Sequence, residues 1–344
     1  MLLPKRFHNI SKTELTSTRK EVSMKLSYFS LLLAVPLIAV GAAFGYTMPG
    51  YAPYDGLISI DPGGLPIVPE TLHLNAGVGY WMSNKNFDDE GNTLDDTAEP
   101  NALLVPIDVG YAFNEHYMAD LTFQVLRPSY TMPATETTPE EKVNAMGIGD
   151  IWVKARGLWE TATDFYLGPR LAVKIPVGKV DYEDTKPELG DDQMDIDVAL
   201  VAGKYGESTI FVMSGQAGFR YRMKKTVTVP GNDPPLEYDY TPGMMIYLQA
   251  EPGIAVSGDR AFQIYVPIGY NMSMEDKVDL PAGTPESPGV LPEVSHSSLY
   301  LGLYPKYELD ERNAIGLKFM YPVMGNNSPQ GMYFTLTYGA FIKM

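Results

Sequence analysis

Residues 71–82 read Thr-Leu-His-Leu-Asn-Ala-Gly-Val-Gly-Tyr-Trp-Met. Leu72, Leu74, Ala76, Val78, Tyr80 and Met82 share one parity, while His73, Asn75, Gly77 and Gly79 share the other. Strict alternation marks a strand with two unlike faces. Its length matches the ~9–11 residues that carry a tilted strand across a bilayer. The same alternation recurs near 101–113, 117–127, 147–159, 165–177, 192–204, 209–222, 243–256, 261–273, 296–309, 314–323 and 332–342, so the sequence predicts twelve strands.

The connections alternate as well. Short turns are expected at 114–116, 160–164, 205–208, 257–260 and 310–313, and long linkers at 83–100, 128–146, 178–191, 223–242 and 274–295. Linker 324–331 is of moderate length. Short turns at one end and long loops at the other are the pattern of an outer-membrane β-barrel, with the turns in the periplasm. A soluble β-sandwich also alternates along its strands, but nothing in it requires strict alternation of loop length. The fold class expected is therefore all-β, a transmembrane antiparallel barrel of about twelve strands.

Charge placement fixes which face is which. Asp108, Asp120, Asp150, Lys154, Arg156, Arg170, Lys174, Asp195, Asp197, Arg220, Arg222, Glu251, Lys306, Glu308 and Lys318 all fall on one parity of their strands. The other parity is apolar, as in Leu167/Leu171/Val173 and Leu299/Leu301/Leu303. A charge facing lipid at mid-depth costs ~2–4 kcal/mol. The apolar face is thus assigned to lipid and the charged face to a lumen. Arg127 and Lys204 depart from the rule only at strand ends. Phe113, Tyr117, Trp159, Phe165, Tyr205, Phe262 and Tyr307 lie beside the short turns and are expected to form an interfacial aromatic girdle. Pro106, Pro169, Pro252, Pro267, Pro305 and Pro322 fall inside predicted strands, where each removes a ladder donor. Bulges or irregular ladders are expected there.

Ahead of the strands, Tyr28–Gly45 is an apolar run behind Met24-Lys25 that ends in small residues. It reads as a secretory signal cleaved before Tyr46, with Met24 the expected start. An anchor helix is the other reading of the run. Residues 46–69 carry five Pro and four Gly and are expected to be an extended plug or tether, and residues 70–344 the barrel.

Composition excludes several classes. The 344-residue chain has Lys+Arg 26 against Asp+Glu 42, a net charge of −16. Removing residues 1–45, with six Lys/Arg and two Asp/Glu, leaves 20 basic and 40 acidic residues, or −20. Nucleic acid is excluded as a partner, since phosphate contacts need basic side chains. With no cysteine there is no disulfide framework, thiolate metal site, cysteine nucleophile or acylated cysteine. A Cys-free, acidic, secreted chain fits the outer membrane of a Gram-negative bacterium. Its expected partners are outer-membrane lipid, the barrel-assembly machinery and a small-molecule solute, with no cofactor and no metal.

Phe87-Asp88-Asp89-Glu90-Gly91-Asn92 follows the first strand, and Gly147-Ile-Gly149-Asp150 opens the fourth. Lys174-Ile-Pro176-Val-Gly178 closes the fifth, and Leu189-Gly190-Asp191 precedes the sixth. In order and spacing this series resembles the outer-membrane proteins grouped as "MetA-pathway of phenol degradation", from about Asp61 to the C-terminus. Such proteins usually carry Pro-Thr-Gly where this chain has Pro176-Val177-Gly178. Many barrels end on an aromatic that the assembly machinery reads, whereas Phe341 here is followed by Ile-Lys-Met344. The resemblance implies uptake of hydrophobic aromatic solutes.

The lumenal parity also suggests two walls. Eleven of the fifteen inward charges lie on strands 2–7, and the later strands present Tyr247, Tyr265, Tyr300, Tyr304 and Tyr333, with Met245 and Met320. Tyrosine rings match the face of an aromatic solute, and Arg or Lys meets its ring or oxygen. The plainer reading is that tyrosines fill a narrow barrel and the charges pair with one another. A 160–164 turn centred on Ala162 sets Lys154 opposite Arg170 and Asp150 opposite Lys174. The like-charged pair needs a counter-charge, for which Asp195 or Asp197 is preferred over a bound anion.

The long loops hold 23 Asp/Glu and seven Lys, a field that enriches cations at the mouth. Asp88, Asp89, Glu90, Asp95 and Asp96 read as solvated loop rather than a divalent-cation site, because EF-hand spacing is missing. His296-Ser297-Ser298 with Asn271 has the spacing of an outer-membrane phospholipase, yet His296 and Ser298 face the lumen. His73 reads as a lumen-lining residue and His116 as a turn residue. No HExxH, phosphate loop or G-x-S-x-G occurs. The expected function is passive diffusion of small, partly apolar or aromatic solutes, without catalysis. A closed structural or surface-binding barrel is the alternative, and a lipid hydrolase a remote one.

Overall fold

The computed structural model describes residues 67–95, 99–132, 141–178, 187, 189–205, 210–229, 236–281 and 295–344. Twelve strands run in chain order around the molecule. They are β1 (Thr71–Met82), β2 (Asn101–Ala112), β3 (Tyr117–Met132), β4 (Gly147–Ile148, Ile151–Gly157 and Trp159–Ala162), β5 (Phe165–Ile175) and β6 (Asp195–Lys204). Then come β7 (Phe211–Arg222), β8 (Met245–Ala255), β9 (Phe262–Tyr265 and Ile268–Ser273), β10 (His296–Asp310), β11 (Asn313–Asn326) and β12 (Met332–Lys343). Each strand pairs antiparallel with its sequence neighbours, and β12 pairs with β1 from Thr71↔Lys343 to Met82↔Met332. The ladder therefore closes and leaves no free edge, which lets a sheet span lipid with its backbone satisfied.

Alternation acts as read from the sequence. Leu171, Val198, Leu200, Leu248, Leu303, Leu317 and Leu336 are exposed, while Lys174, Asp195, Asp197, Arg220, Glu251 and Lys318 are buried inside. Met82, Leu94 and their long-loop neighbours mark one end of the barrel, and the short turns the other. At the short-turn end Phe113, Tyr117 and Tyr307 are exposed, and Tyr117 meets Trp159 edge-on at 5.6 Å. Tyr205 departs from the expected girdle. It turns inward, packs with Val212, Tyr265 and Tyr304, and its hydroxyl donates to Glu308 at 2.8 Å.

Five of the six in-strand prolines interrupt a ladder without moving it. Between β8 and β9, Gly253 pairs Tyr265 and Ala250 pairs Ile268, with the rows of Pro252 and Pro267 skipped and the register kept. Pro106, Pro169 and Pro305 likewise skip rows on one side and keep Gln124, Leu200 and Ile264 opposite them on the other. Only at Pro322 does the register shift, beside Leu299/Tyr300. A missing N–H removes hydrogen bonds on one side, but the fixed φ still suits extended chain.

Two further small sheets stand at the long-loop end. Lys225–Val229, Leu236–Thr241 and Lys277–Asp279 form one, and Lys85–Phe87, Thr93–Asp95 and Ser328–Pro329 the other. At the opposite end Ile67 packs on Ala112, Met118, Leu158 and Val201, all on lumenal parities. Glu70, at a left-handed φ of 56°, turns the chain from there into β1. Of the segment expected to plug the barrel, residues 46–66 lie outside the described residues, as does the whole signal region.

Candidate functional site

The site is built at the long-loop end of the lumen, where three sequence motifs converge. The ladder between β3 and β4 pairs Val125 with Ile148 and Thr122 with Trp152, so one extra residue is accommodated at Gly149-Asp150. Such a bulge re-aims side chains. Here it turns both Asp150 and Trp152 into the lumen, where each is more than nine-tenths buried. The Asp150 carboxylate accepts the backbone N–H of Val177 at 3.2 Å, of Gly178 at 3.0 Å and of Asp191 at 3.3 Å. Those three residues belong to the two ends of the β5–β6 loop.

The rest of the loop base locks around this carboxylate. A Cβ on Gly190 would lie 2.5 Å from Asp150 Oδ1, and one on Gly178 would lie 2.6 Å from Gly190 Cα. Only paired glycines allow that approach. Lys174, fully buried, meets Asp191 and lies 2.9 Å from Asp195. Lys225 donates to the Asp191 carbonyl at 2.6 Å. Leu189 drops into an apolar cluster with Trp81, Ala102, Leu104, Leu126, Tyr300, Met320 and Tyr333, which lines the neighbouring strands β10, β11, β12, β1, β2 and β3. The loop base is therefore anchored within the lumen.

Below it the charged parities knit into a network. Arg170 donates to Asp197 at 2.6 Å and to the Tyr247 hydroxyl at 2.5 Å, and also meets Gln216. Tyr247 donates to Asp197 at 2.8 Å, and Arg220 Nε lies 3.4 Å from the same carboxylate. Arg220 also lies 4.5 Å over the Trp152 ring, spanning from β7 to β4. Lys154 lies 3.6 Å from Asp108 and sits opposite Asp120. Arg156 donates to Met118 Sδ at 3.2 Å, and Arg222 sits opposite Asp195. On the later strands Lys318 pairs with Glu251, and Lys306 lies 3.4 Å from Glu308.

Two expected pairings change. Arg170 sits opposite Arg156, and Lys174 opposite Trp152, rather than opposite Lys154 and Asp150. The turn is Thr163-Asp164, with Asp164 at φ 60°, and a bulge follows between Phe165 and Tyr166. Together they slide the hairpin by two residues from a centre at Ala162. Parity survives, and a like-charged pair still forms. The counter-charge of Arg170 is Asp197, one of the two carboxylates preferred over a bound anion.

The five lumenal tyrosines are buried but belong to three groups. Tyr247 joins the charged network. Tyr265 stacks near Tyr304 with centroids 5.7 Å apart, and Tyr304 bonds Thr337 at 3.2 Å. Tyr300 and Tyr333 belong to the apolar cluster around Leu189. The charged and aromatic walls thus meet at Tyr247 rather than face each other.

Several key side chains were not singled out as site residues from the sequence. Trp152 and Gln216 lie on the same inward parity as their charged neighbours, and Trp81 on the parity of His73 and Asn75, which is the signal that locates them. The role of Leu189 and Asp191 depends on a loop folding inward, which periodicity does not reveal.

The histidines are accounted for locally. His73 bonds Thr71 Oγ1 at 2.9 Å and packs on Phe341. His116 Nδ1 lies 3.2 Å from the Leu158 carbonyl. His296 Nδ1 donates to the Asn327 carbonyl at 2.5 Å, and its Nε2 lies 3.8 Å from Asp276. Ser298 sits opposite Asn271 but is 1% exposed on the lumenal face, away from lipid. Asp88 caps its own turn, accepting from Glu90 N and Asn92 N. No cluster suited to a metal ion occurs among the described residues.

No protein-family model matches the chain. No curated protein matches it in sequence. Among solved structures it is similar to the COG4313 outer membrane channel from Pseudomonas putida F1, with TM-score 0.66 and 11% identity over 83% of this chain and 100% of that one. The translocator domain of autotransporter NalP from Neisseria meningitidis aligns at TM-score 0.44 and 10% identity, over 78% of this chain and 88% of that one. The KdgM porin aligns at TM-score 0.34 and 8% identity, over 77% and 98%. At these identities the first likeness shows the fold, that of an outer-membrane β-barrel.

Proposed function

We propose that this chain is an outer-membrane channel of a Gram-negative bacterium that lets small, partly apolar solutes diffuse passively. The long loops then face outward and the short turns face the periplasm. The observation that carries this reading is the lumen itself. Its inward parity holds charged and hydrogen-bonding side chains in a paired network, with the base of the β5–β6 loop folded in against it. A barrel that served only as a wall could be filled with apolar side chains and would need no such lining.

Aromatic solutes are the class favoured by the resemblance to the phenol-degradation group and by the buried tyrosines. Outer-membrane lipid contacts the exposed Leu and Val face, and the barrel-assembly machinery inserts the chain. No catalytic step is assigned.

The bridges from Arg170 to Tyr247, Arg220 to Trp152 and Lys318 to Glu251 cross the lumen and favour a second reading, a barrel closed by its own side chains. Single-channel recording of the refolded mature protein, with and without residues 46–69, separates the two. Steady conductance that phenol or benzoate blocks supports the channel. Silence from both forms supports the closed barrel.

A further inference from the structure

Three buried polar atoms belong to residues at neighbouring positions on the lumenal face of β3 and β4. They are Trp152 Nε1, Thr122 Oγ1 and Gln124 Oε1, and none has a hydrogen-bond partner among the described residues. Thr122 sits directly opposite Trp152, and Gln124 is the next residue on the same face. Gly149 donates its N–H to the Gln124 carbonyl at 2.9 Å, so Gln124 stands beside a residue with no side chain. A Cβ there would press on Leu126 and on Gln124 Cγ at 2.8 and 3.3 Å. Trp152 is held by Arg220 on its ring face, which leaves the indole edge to present its N–H. A buried polar group without a partner costs ~1–3 kcal/mol, and native folds keep few of them.

We infer that this face is a binding site for the hydroxyl group of a neutral solute. The inference rests on the channel reading for its transport meaning and on these atoms for its chemistry. The indole N–H only donates, the amide oxygen only accepts, and the threonine hydroxyl does both. One solute hydroxyl accepts from Trp152 Nε1 and from the Thr122 hydroxyl on its two lone pairs, and donates its proton to the Gln124 oxygen. A carboxylate would satisfy Trp152 but set its charge against the Gln124 oxygen. An ammonium group would leave the indole N–H unmet. The neighbouring charges already have counter-charges: Lys174 has Asp191 and Asp195, and Arg220 has Asp197. The apolar cluster around Leu189 continues above Leu126 and suits the solute's hydrocarbon part.

The test uses three isosteres: cyclohexanol, cyclohexanecarboxylate and cyclohexylammonium. The chain has three tryptophans, so Trp81→Phe with Trp159→Phe leaves Trp152 as the sole emitter. Cyclohexanol is expected to shift that emission saturably, and the two ions are not. Thr122→Val and Gln124→Leu are each expected to weaken cyclohexanol about tenfold, the loss of roughly one hydrogen bond. In the otherwise unchanged protein, Trp152→Phe is expected to weaken block of the ionic current by cyclohexanol by a similar factor. That second readout stands if the double tryptophan variant fails to fold.

A linear, unsaturable response, an equal response to methylcyclohexane, or tighter binding of the carboxylate would overturn the inference. So would unchanged binding in all three site variants, which would mean that water alone meets these atoms. Conductance without cyclohexanol binding leaves the channel reading standing and removes this site. Saturable binding to a barrel that does not conduct does the reverse.

Discussion

Replacing Asp150 by Ala should release the β5–β6 loop base without unfolding the barrel. The carboxylate accepts three backbone N–H groups, at 3.0, 3.2 and 3.3 Å. A hydrogen bond to a charged acceptor is worth ~1.5–3 kcal/mol. The two longer bonds lie at the limit of good geometry and count for less. The local clamp is then worth about 3–5 kcal/mol. At 1.4 kcal/mol per decade this shifts loop opening by roughly two to three and a half orders of magnitude.

The absence of native cysteine allows a direct assay. Leu189→Cys places a thiol at a position only 7% exposed in the apolar cluster. Its labelling by a water-soluble maleimide should be slow with Asp150 present and at least tenfold faster with Asp150→Ala, since labelling follows local opening. Heat-modifiable mobility of the barrel should be unchanged. Equal labelling rates in the two backgrounds would show that Asp150 does not hold the loop and would refute the clamp.

Other outcomes follow from the same geometry. Gly190→Ala should speed Leu189→Cys labelling like Asp150→Ala, because its Cβ would collide with Asp150 Oδ1 at 2.5 Å; an unchanged rate counts against paired-glycine packing. Asp197→Asn strips the counter-charge from Arg170 and Arg220 and should cost about 3–5 kcal/mol in urea unfolding from lipid vesicles. Leu171→Arg on the lipid face should cost ~2–4 kcal/mol in the same assay, whereas Leu309→Arg, near the short turn, should cost much less.

At the long-loop end, burial pulls the Asp276 carboxyl upward. The nearby His296 ring, with hydrogen bonds from Tyr240 and the Gly243 N–H, outweighs burial and holds it below its ordinary value. A depressed carboxyl contributes stability that is full above the unfolded pKa and lost as pH falls through the folded one. Protection of the Gly243 amide from hydrogen exchange should therefore persist at neutral pH and disappear only below the usual carboxylate range. Loss between pH 5 and 7 would contradict this.

What the sequence made legible was whatever depends on parity. Lys174, Asp195 and Arg220 were placed inside because a lipid-facing charge is costly, and that cost acts on each residue independently of its partners. Strand ends were less legible: the strand expected to end at 127 runs on to Met132, and the one expected from 192 begins at Asp195. Register was less accessible. The β4–β5 hairpin slid by two residues through one left-handed Asp164 and one bulge, and neither leaves a trace in hydropathy. The prolines interrupt their ladders as expected, but a missing donor alone does not shift the register, and only the strand that also bulges, at Pro322, slips. Gly147-Ile-Gly149-Asp150, Lys174-Ile-Pro176-Val-Gly178 and Leu189-Gly190-Asp191 were visible as separate strings. That they form one clamp is a tertiary fact, set by an inward-folding loop. Tyr205 was misassigned to the girdle because an aromatic beside a turn reads the same whether it points to lipid or to Glu308.

The most direct test of the account is single-channel recording of the mature protein beside its Asp150→Ala variant in the same bilayer. The account predicts small, steady conductance from the wild type and a larger or noisier conductance once the loop base is released. Silence from both proteins, with both shown to be folded and inserted, would contradict it.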